Sequence, residues 1–412
     1  MQPTLLVIGF VNPEPNSSAA GTRMLQLIEA FQEQDYTITF ATTCKKSENA
    51  FDLESLGVNV VEIVLNHSSF DVFIKSLNPT IVLFDRFMTE EQFGWRVSEH
   101  CPDALRILDT EDLHFLRKGR QKAFNSNQET DISFLKSDIA KREIASIYRS
   151  DLALVISETE YKILIETFKI DSAILWYLPF MIPSKNCEPR LDCKTYSERH
   201  DFVSIGNFLH PPNSDVVRYL KKDIWPRIRK SLPETKLHIY GAYDTPVFKE
   251  MHNEKEGFLV HGFVEDAFEV LNSAKVLLAP LRFGAGLKGK LIQAMQTGMP
   301  CAMSSVAAEG MFGAMDPNGI VEDAVDVFAA RAVALYSKLP EWEAFQVQGF
   351  SVLKNRFEKE LHQTNFINQV NTLLETLDAH RSQNFIGQML SHHQMQSTKY
   401  MARWIEAKNA KL

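Results

Sequence analysis

Residues 279–295 read APLRFGAGLKGKLIQAM, which is the end of an apolar strand, a glycine-rich loop and the first turns of a helix. Glycines allow a backbone to approach a ligand closely, and a helix N-terminus presents unpaired N–H groups with a partial positive charge. Lys288 and Lys290 oppose the helix dipole, and with Arg282 they favour a bound anion. The pattern predicts a diphosphate site at this junction, and a solvated Lys-Gly-Lys turn on an ordinary surface remains the alternative.

The helix that follows this loop has two distinct faces. Its spacing predicts one buried face, and a second, polar stripe that faces a ligand. The predicted buried residues are Leu287, Leu291 and Ala294, and the stripe consists of Gly286, Lys290 and Gln293.

Short apolar runs alternate with longer amphipathic segments along the chain, which is typical of βαβ units in the α/β class. A length of 412 residues predicts two domains of about 150–200 residues each. The first domain has predicted strands at 5–9, 37–42, 59–64, 80–84, 105–108, 152–157 and 173–177. The second has predicted strands at 202–205, 236–240, 258–261, 276–279 and 300–304.

The change in pattern near residue 182 predicts the domain boundary. Residues 183–200 lose periodicity and contain Pro183 and Pro189, as expected for a linker. The predicted organisation is a Rossmann-like domain over 1–182, this linker, a second domain over 201–376 and a helical tail over 377–412.

Composition and charge argue against several classes of protein. With 44 basic and 52 acidic residues and no dense Lys/Arg run, no nucleic-acid partner is expected. The five cysteines lack zinc-like spacing, which favours free thiols in a reducing compartment. The sequence shows no signal-peptide pattern and no stretch of transmembrane length. A cytoplasmic protein is expected, with peripheral contact at the inner face of the membrane left open.

The second domain resembles the donor domain of family 4 glycosyltransferases, also called glycosyl transferases group 1. The 279–295 stretch follows the pattern G-x-G-L-K-x-K-x-x-E-A-M of one subgroup of that family. Further elements occur in the family's order: GNF at 206–208, PPNSD at 211–215, WP at 225–226, IYG at 239–241, HGFV at 261–264 and AEG at 308–310.

The resemblance implies a GT-B fold, in which two facing Rossmann-like domains hold a nucleotide diphosphate sugar mostly through the second. It also implies transfer that usually retains anomeric configuration and needs neither a metal nor a cofactor besides the donor. Arg282 and Lys288 are then expected to act in catalysis by stabilising the leaving diphosphate. The implied donor-binding residues are Gly206, Asn207, Asn213, Gly241, Phe263, Val264, Gly284, Gly286, Leu287, Lys290, Gln293 and Glu309.

Two positions depart from the family pattern. Gln293 stands where relatives commonly carry the glutamate that accepts hydrogen bonds from the donor's ribose, and an amide accepts them more weakly. Many relatives also carry an Arg and a Lys after the first strand of this domain, where this chain has Asn207 and a Pro-Pro-Asn turn. Diphosphate binding is therefore expected to depend on Arg282, Lys288 and Lys290.

The acceptor side is expected in the first domain, in the segment LDTEDLH at 108–114 after a strand end. Asp109, Glu111 and His114 are candidates for binding sugar hydroxyls or assisting proton transfer, and helix capping is the alternative. The loop at 16–23 is a candidate phosphate or acceptor loop, with the same alternative; its candidate residues are Ser17, Ser18, Gly21 and Arg23. Asp85 and Arg86 are expected to form a surface ion pair.

The sequence thus predicts a hexosyltransferase-type glycosyltransferase acting on a saccharide, lipid-linked or protein acceptor. Two alternatives remain: a related protein that binds nucleotide or glycan without turnover, and a GT-B nucleotide-sugar epimerase. The tail contains apolar and basic residues that either face a membrane or partner or pack on the protein itself. They are Met389, Met395, Lys399, Tyr400, Met401, Arg403, Trp404 and Lys408.

Overall fold

The computed structural model describes residues 2–410, except for the side chains of residues 394–396. The predicted domain limits include three residues that lie outside the described ones: Met1, Lys411 and Leu412. The side chain of Met395, which belongs to the predicted apolar and basic tail, also lies outside them. The described chain forms two parallel sheets with helices packed around them. The predicted α/β class with two Rossmann-like domains is confirmed.

The first sheet has seven strands in the order β3-β2-β1-β4-β5-β6-β7, and its neighbouring strands pair in parallel. The strands are β1 (Thr4–Gly9), β2 (Thr37–Thr42), β3 (Asn59–Glu62), β4 (Ile81–Asp85), β5 (Leu105–Asp109), β6 (Leu152–Val155) and β7 (Leu175–Tyr177). The helices are α1 (Ala19–Gln32), α2 (Ser69–Leu77), α3 (Arg86–His100), α4 (His114–Asn125), α5 (Ile132–Leu135), α6 (Asp138–Arg149) and α7 (Glu158–Glu166).

The second sheet has six parallel strands in the order β10-β9-β8-β11-β12-β13. The strands are β8 (His200–Ile205), β9 (Leu237–Tyr240), β10 (Phe258–Gly262), β11 (Ala274–Ala279), β12 (Cys301–Met303) and β13 (Gly319–Val321). The helices are α8 (Pro211–Tyr219), α9 (Trp225–Ser231), α10 (Pro246–Lys249), α11 (Ala267–Ser273), α12 (Gly289–Gln296), α13 (Ser305–Ala308), α14 (Val325–Ser337), α15 (Leu339–Val352), α16 (Lys359–Glu375), α17 (Leu377–Gln383) and α18 (Phe385–Asn409).

The order of strands reverses between β1 and β4 in the first sheet and between β8 and β11 in the second. In open parallel sheets, ligands bind beyond the carboxyl ends of the strands at such a reversal. The central strands are buried on both faces, as in β4 and β11, where every residue is buried. This burial fixes the loops that follow them in position at the cleft.

The C-terminal helices return to the first domain, which corrects one part of the predicted organisation. Helix α16, expected in the donor domain, packs Phe366, Val370 and Leu373 into the apolar core of the first domain. Ile182, directly before the predicted linker, pairs with Glu358 beside this crossing, so two chain segments connect the domains side by side. Helix α18 continues over α3 and α6 of the first domain.

Three further features bear on the expectations from sequence. Strand β13, at the edge of the second sheet, was not predicted. All five cysteines are free thiols. Within residues 2–410, no helix combines the length and the apolar character needed to cross a membrane.

Candidate active site

The glycine-rich loop of the second domain lies directly against the first domain. A Cβ built on Gly286, whose φ is +65°, would lie 2.9 Å from Cβ of Asp112, and one on Gly289 would lie 2.7 Å from Cβ of Ala19. Any larger residue at either position would push the domains apart. The loop glycines are therefore required for the two halves of the cleft to meet.

Two helix N-termini converge at this contact, because Gly289 and Ala19 are the first residues of α12 and α1. Ser18 caps α1 by accepting a hydrogen bond from the N–H of Gly21 at 3.1 Å, which is the capping alternative for the 16–23 loop. No side chain caps α12. The positive ends of both helix dipoles therefore act on the same part of the cleft.

Lys288 stabilises the glycine loop from within. Its side chain is buried, and Nζ donates to the carbonyl oxygens of Ala285 at 3.0 Å and Gly286 at 2.6 Å. Burial lowers the pKa of Lys288, although the nearby carboxylates of Glu309 and Glu160 oppose this shift. In this conformation, the ammonium of Lys288 is directed to the loop rather than to open space.

Lys290 connects the predicted donor residues of two different elements. Its Nζ donates to Oδ1 of Asn213 at 2.9 Å, and Nδ2 of Asn213 donates to the carbonyl of Asn207 at 3.0 Å. Gly206 lies against the same amide. Burial, with a smaller contribution from Lys288, lowers the pKa of Lys290 to about 7. An anion bound beside Lys290 would raise that pKa and recover a full positive charge.

Arg282 occupies a different place from the one expected. Its guanidinium forms a bidentate ion pair with Asp215, at 2.8 and 2.5 Å, and lies over the rings of Phe124 and Tyr219. It lines a cavity of about 410 Å³ together with Arg120. Because Asp215 already balances its charge, the structure does not support a direct role for Arg282 in holding the diphosphate.

The remaining predicted donor residues lie around the second sheet. Gly241 follows β9, where an added Cβ would lie 2.1 Å from the carbonyl oxygen of Gly206. Phe263, which is exposed, and Val264, which is half-buried, follow the edge strand β10. Gly284 and Leu287 belong to the buried loop, and Gln293 is a half-buried residue of α12. The structure leaves their contact with a donor as a prediction.

Two predicted site residues bind each other in the interior of the first domain. Arg23 and Asp109 form a buried ion pair, with Nε of Arg23 2.9 and 3.0 Å from the two carboxylate oxygens of Asp109. Arg23 also donates to the carbonyl of Leu178 at 2.7 Å. The two side chains are only 1 % and 0 % exposed and bind each other, which favours a structural role, and the assignments of Arg23 to a phosphate loop and of Asp109 to catalysis stay predictions.

Ser17 belongs to a contact that closes the cleft from the other side. Its hydroxyl donates to Glu14 at 2.5 Å, and Glu14 accepts a hydrogen bond across the cleft from the hydroxyl of Tyr243 at 2.7 and 2.8 Å. Gly21 is packed against the backbone of Glu14. The candidate loop therefore joins the domains through Glu14, which the sequence analysis did not single out.

Glu111 has the features of a functional acid. It has a φ of +61°, and its buried Oε1 has no hydrogen-bond partner among the described residues. Burial, aided by Asp109 and opposed by Arg86, raises the pKa of Glu111 well above its usual value. Such strain and an unpartnered polar atom are retained mostly at functional sites.

Asp85 and Arg86 lie beside Glu111 rather than on the surface, which corrects the expected surface ion pair. Oδ1 of Asp85 is also buried without a partner in the described part of the chain, and Arg86 has a φ of +69°. Both side chains are largely buried and lie 3.4 Å apart. The carboxyl ends of β4 and β5 thus place two strained residues and two unpartnered acid oxygens together.

His114 begins α4 next to this cluster. Nδ1 of its half-buried ring lies 3.2 Å from the carbonyl oxygen of Asp112 and 3.6 Å from Oε1 of Glu143. Glu143 caps the helix by accepting the N–H groups of His114 and Phe115. His114 is thus held at the cleft, and its catalytic role stays a prediction.

Three groups that the sequence analysis missed complete the cleft. Arg117 binds Asp112 at 2.6 Å, and Arg120 binds Glu309 of the second domain through two bonds of 2.8 Å. Both arginines follow His114 at helical spacing, a pattern that was available in the sequence. Glu160 gave no comparable signal, because nothing in the sequence near it indicates burial against the glycine loop.

Two parallel-sheet domains that face one cleft, with helix N-termini and lysines between them, define a protein of the GT-B class. Residues 199–338 match the family model described as glycosyl transferases group 1. The resemblance of the second domain to that family, predicted from sequence, is thus confirmed over these residues. A comparison with curated proteins gives no match.

Solved structures show the same fold over 73% to 91% of this chain. Sucrose-phosphate synthase from Thermosynechococcus elongatus is 14% identical, with a TM-score of 0.69 over 91% of this chain and 100% of that one. HepE from Anabaena, solved with UDP and glucose, is 10% identical, with a TM-score of 0.65 over 90% and 99%. TarM from S. aureus, solved with fondaparinux, α-GlcNAc-glycerol and UDP, is 12% identical, with a TM-score of 0.57 over 73% and 58%.

Proposed function

We propose that the protein transfers a hexosyl group from a nucleotide diphosphate sugar to a saccharide, lipid-linked or protein acceptor. We further propose that transfer occurs in the cytoplasm, retains anomeric configuration and requires neither a metal nor a further cofactor. The observation that carries this proposal is the meeting of the α1 and α12 N-termini beside Lys288 and Lys290. The α12 side of this contact lies within the segment that matches glycosyl transferases group 1.

The donor diphosphate is assigned to the N-terminus of α12. Two helix dipoles and Lys290 provide positive charge where negative charge develops as the nucleotide leaves. Lys288 holds the loop in shape through its bonds to Ala285 and Gly286. The presence of UDP in the HepE and TarM structures supports a nucleoside diphosphate as the ligand class.

The acceptor hydroxyl is assigned to the cluster of Glu111, Asp85 and His114. Unpartnered carboxyl oxygens bind hydroxyl groups well, and Glu111 and Asp85 each have one in a buried position. In the reaction, the bond between the sugar's anomeric carbon and the diphosphate breaks and the acceptor oxygen bonds to that carbon. The acceptor's proton passes to the departing diphosphate, and Glu111 orients the hydroxyl.

A second candidate function is binding of nucleotide or glycan without turnover. It is favoured by Gln293, which stands where the family commonly has a glutamate, and by the inward orientation of Lys288. Both functions use the same pocket and differ in whether the sugar–diphosphate bond breaks.

Release of nucleotide diphosphate distinguishes the two candidates. The full chain is incubated with UDP-, GDP- and ADP-sugars, alone and with saccharide and lipid-linked acceptors, and free nucleotide diphosphate is measured. The transferase proposal expects release that increases with one acceptor class. Bound donor that stays intact with every acceptor would support binding alone.

A further inference from the structure

Helix α18 has two opposite faces. One face packs on α3 and α6 of the first domain, with Gly387 against the carbonyl oxygen of Tyr148 and Ala402 almost fully buried. At 3.6 residues per turn, the exposed face lies about half a turn away. Its large side chains, which we call the α18 stripe, are between 46 % and 67 % exposed: Phe385, Ile386, Met389, Tyr400, Met401 and Trp404.

The charges around the α18 stripe are predominantly positive. Residues 385–412 contain four basic residues and one acidic residue, in a chain whose net charge is −8. The acid, Glu406, is turned away from the stripe and accepts hydrogen bonds from the N–H and hydroxyl of Ser68 at 3.0 and 2.6 Å. Lys408 lies over the ring of Trp404. Lys399 binds Glu99 at 2.9 Å, and Arg403, whose side chain is 57 % exposed, lies 3.8 Å from the same carboxylate, so Arg403 and Lys408 supply the exposed positive charge of the described helix. An anionic surface is therefore the complementary partner.

We propose that the α18 stripe docks in the plane of an anionic lipid surface. Helices with Trp, Tyr and aliphatic residues on one side and flanking Lys and Arg insert at the boundary between headgroups and acyl chains. The stripe runs from residue 385 to residue 404 of a 25-residue helix that is about 37 Å long. A stable protein interface needs about 20–30 residues per side, which this narrow row does not provide.

Docking through α18 brings the lipid surface to the first domain. Apart from its neighbour α17, the helices against which α18 makes its main contacts are α3 and α6, and both belong to that domain. On the proposed function, this is the acceptor side. Docking then favours a lipid-linked acceptor among the three classes. That consequence rests on the proposed function, whereas docking itself does not.

Vesicle flotation tests the proposal. The full chain is floated with vesicles of 70% phosphatidylcholine and 30% phosphatidylglycerol, and with phosphatidylcholine alone. The test variant is Tyr400→Ser/Met401→Ser/Trp404→Ser, and the matched control is Val72→Ser/Val347→Ser, which changes two exposed apolar residues elsewhere. A second variant, Arg403→Glu/Lys408→Glu, leaves the apolar residues intact. Circular dichroism confirms that each variant is folded.

We expect the wild type and the control to float with anionic vesicles, and both test variants to bind at least tenfold less. All five tryptophans lie in the described part of the chain, and among them only Trp404 has an exposed side chain. The fluorescence emission of Trp404 should therefore shift to shorter wavelength when the protein binds vesicles. Absence of flotation by the wild type would overturn the proposal. So would self-association, measured by sedimentation equilibrium, that the triple variant abolishes while flotation is unchanged.

Discussion

Glu160 of the first domain accepts a hydrogen bond from the backbone N–H of Gly286 in the second, with 2.7 Å between Oε1 and the nitrogen. The same oxygen accepts the N–H of Leu113 at 3.1 Å, which places the carboxyl between the acceptor segment and the glycine loop. Burial, together with the charge of Asp112, raises the pKa of Glu160 to about 8. One acid therefore joins both sides of the cleft and changes charge near neutral pH.

Glu160 is expected to make folding stability depend on pH. With a raised pKa, the folded state binds the proton more tightly than the unfolded state, so stability falls as pH rises from about 4.5 to about 8. Each unit of pKa difference corresponds to about 1.4 kcal/mol. In urea denaturation, Glu160→Gln should flatten this decline relative to wild type. An identical pH profile for the two proteins would contradict the assignment.

The ion pair between Arg23 and Asp109 is expected to matter for stability. Asp109→Asn leaves a buried guanidinium without its counter-charge, which should cost about 3–5 kcal/mol of the free energy of unfolding. The matched control is Asp138→Asn, because Asp138 pairs with Lys141 on the exposed surface. That change should cost less than about 0.5 kcal/mol. Equal, small effects in the two variants would show that the buried pair is not structural.

Glu111 is expected to lower the free energy of unfolding and to raise kcat. Glu111→Gly removes the left-handed strain and the unpartnered buried oxygen, and should raise the free energy of unfolding by about 1 kcal/mol. It should also lower kcat by about 100-fold, since a positioned carboxyl is lost. The control is Lys169→Gly, an exposed residue with a φ of +57°, which should leave kcat unchanged. Unchanged kcat in the Glu111 variant would remove it from the site.

Lys290 is expected to make donor binding depend on pH. Its pKa of about 7 rises when a diphosphate binds, so its contribution to affinity is complete below pH 7 and is lost as pH rises above it. Titration calorimetry with UDP should show this decline in wild type and not in Lys290→Ala, which should bind at least tenfold more weakly at pH 6.5. Lys222→Ala, an exposed lysine of the same domain, provides the control. If the affinity of Lys290→Ala for UDP still fell as pH rose, the pH dependence would belong to another group.

The fold could be predicted from the sequence because two signals can be read directly along the chain: the local pattern of strands and glycines, and the order of family-like elements in the second domain. The glycine loop and the apolar strands each depend on neighbouring residues, and the ordered elements of the second domain follow one family's pattern. Strand β13 and the return of α16 to the first domain were missed. The position of α16 depends on packing between segments far apart in the sequence, which local patterns do not show.

The site was harder to predict, since charge pairing between distant segments decides which side chains are available. Asp215 neutralises Arg282 from 67 positions away, and Asp109 neutralises Arg23 from 86. The roles of Glu160 and Glu14 depend in the same way on contacts across the cleft, which spacing along the chain does not reveal. Glu111 was identified because it directly follows a strand end, a feature that the sequence does show.

The substitution Gln293→Glu, combined with the release assay, distinguishes sugar transfer from binding alone. It restores the carboxylate common in the family, so we expect tighter donor binding in the variant and nucleotide diphosphate release by both proteins in the presence of an acceptor. Release should be lost in the Glu111→Gly variant and kept in Lys169→Gly. Donor that binds to wild type and to Gln293→Glu but stays intact with every acceptor would contradict the claim that the protein transfers sugar.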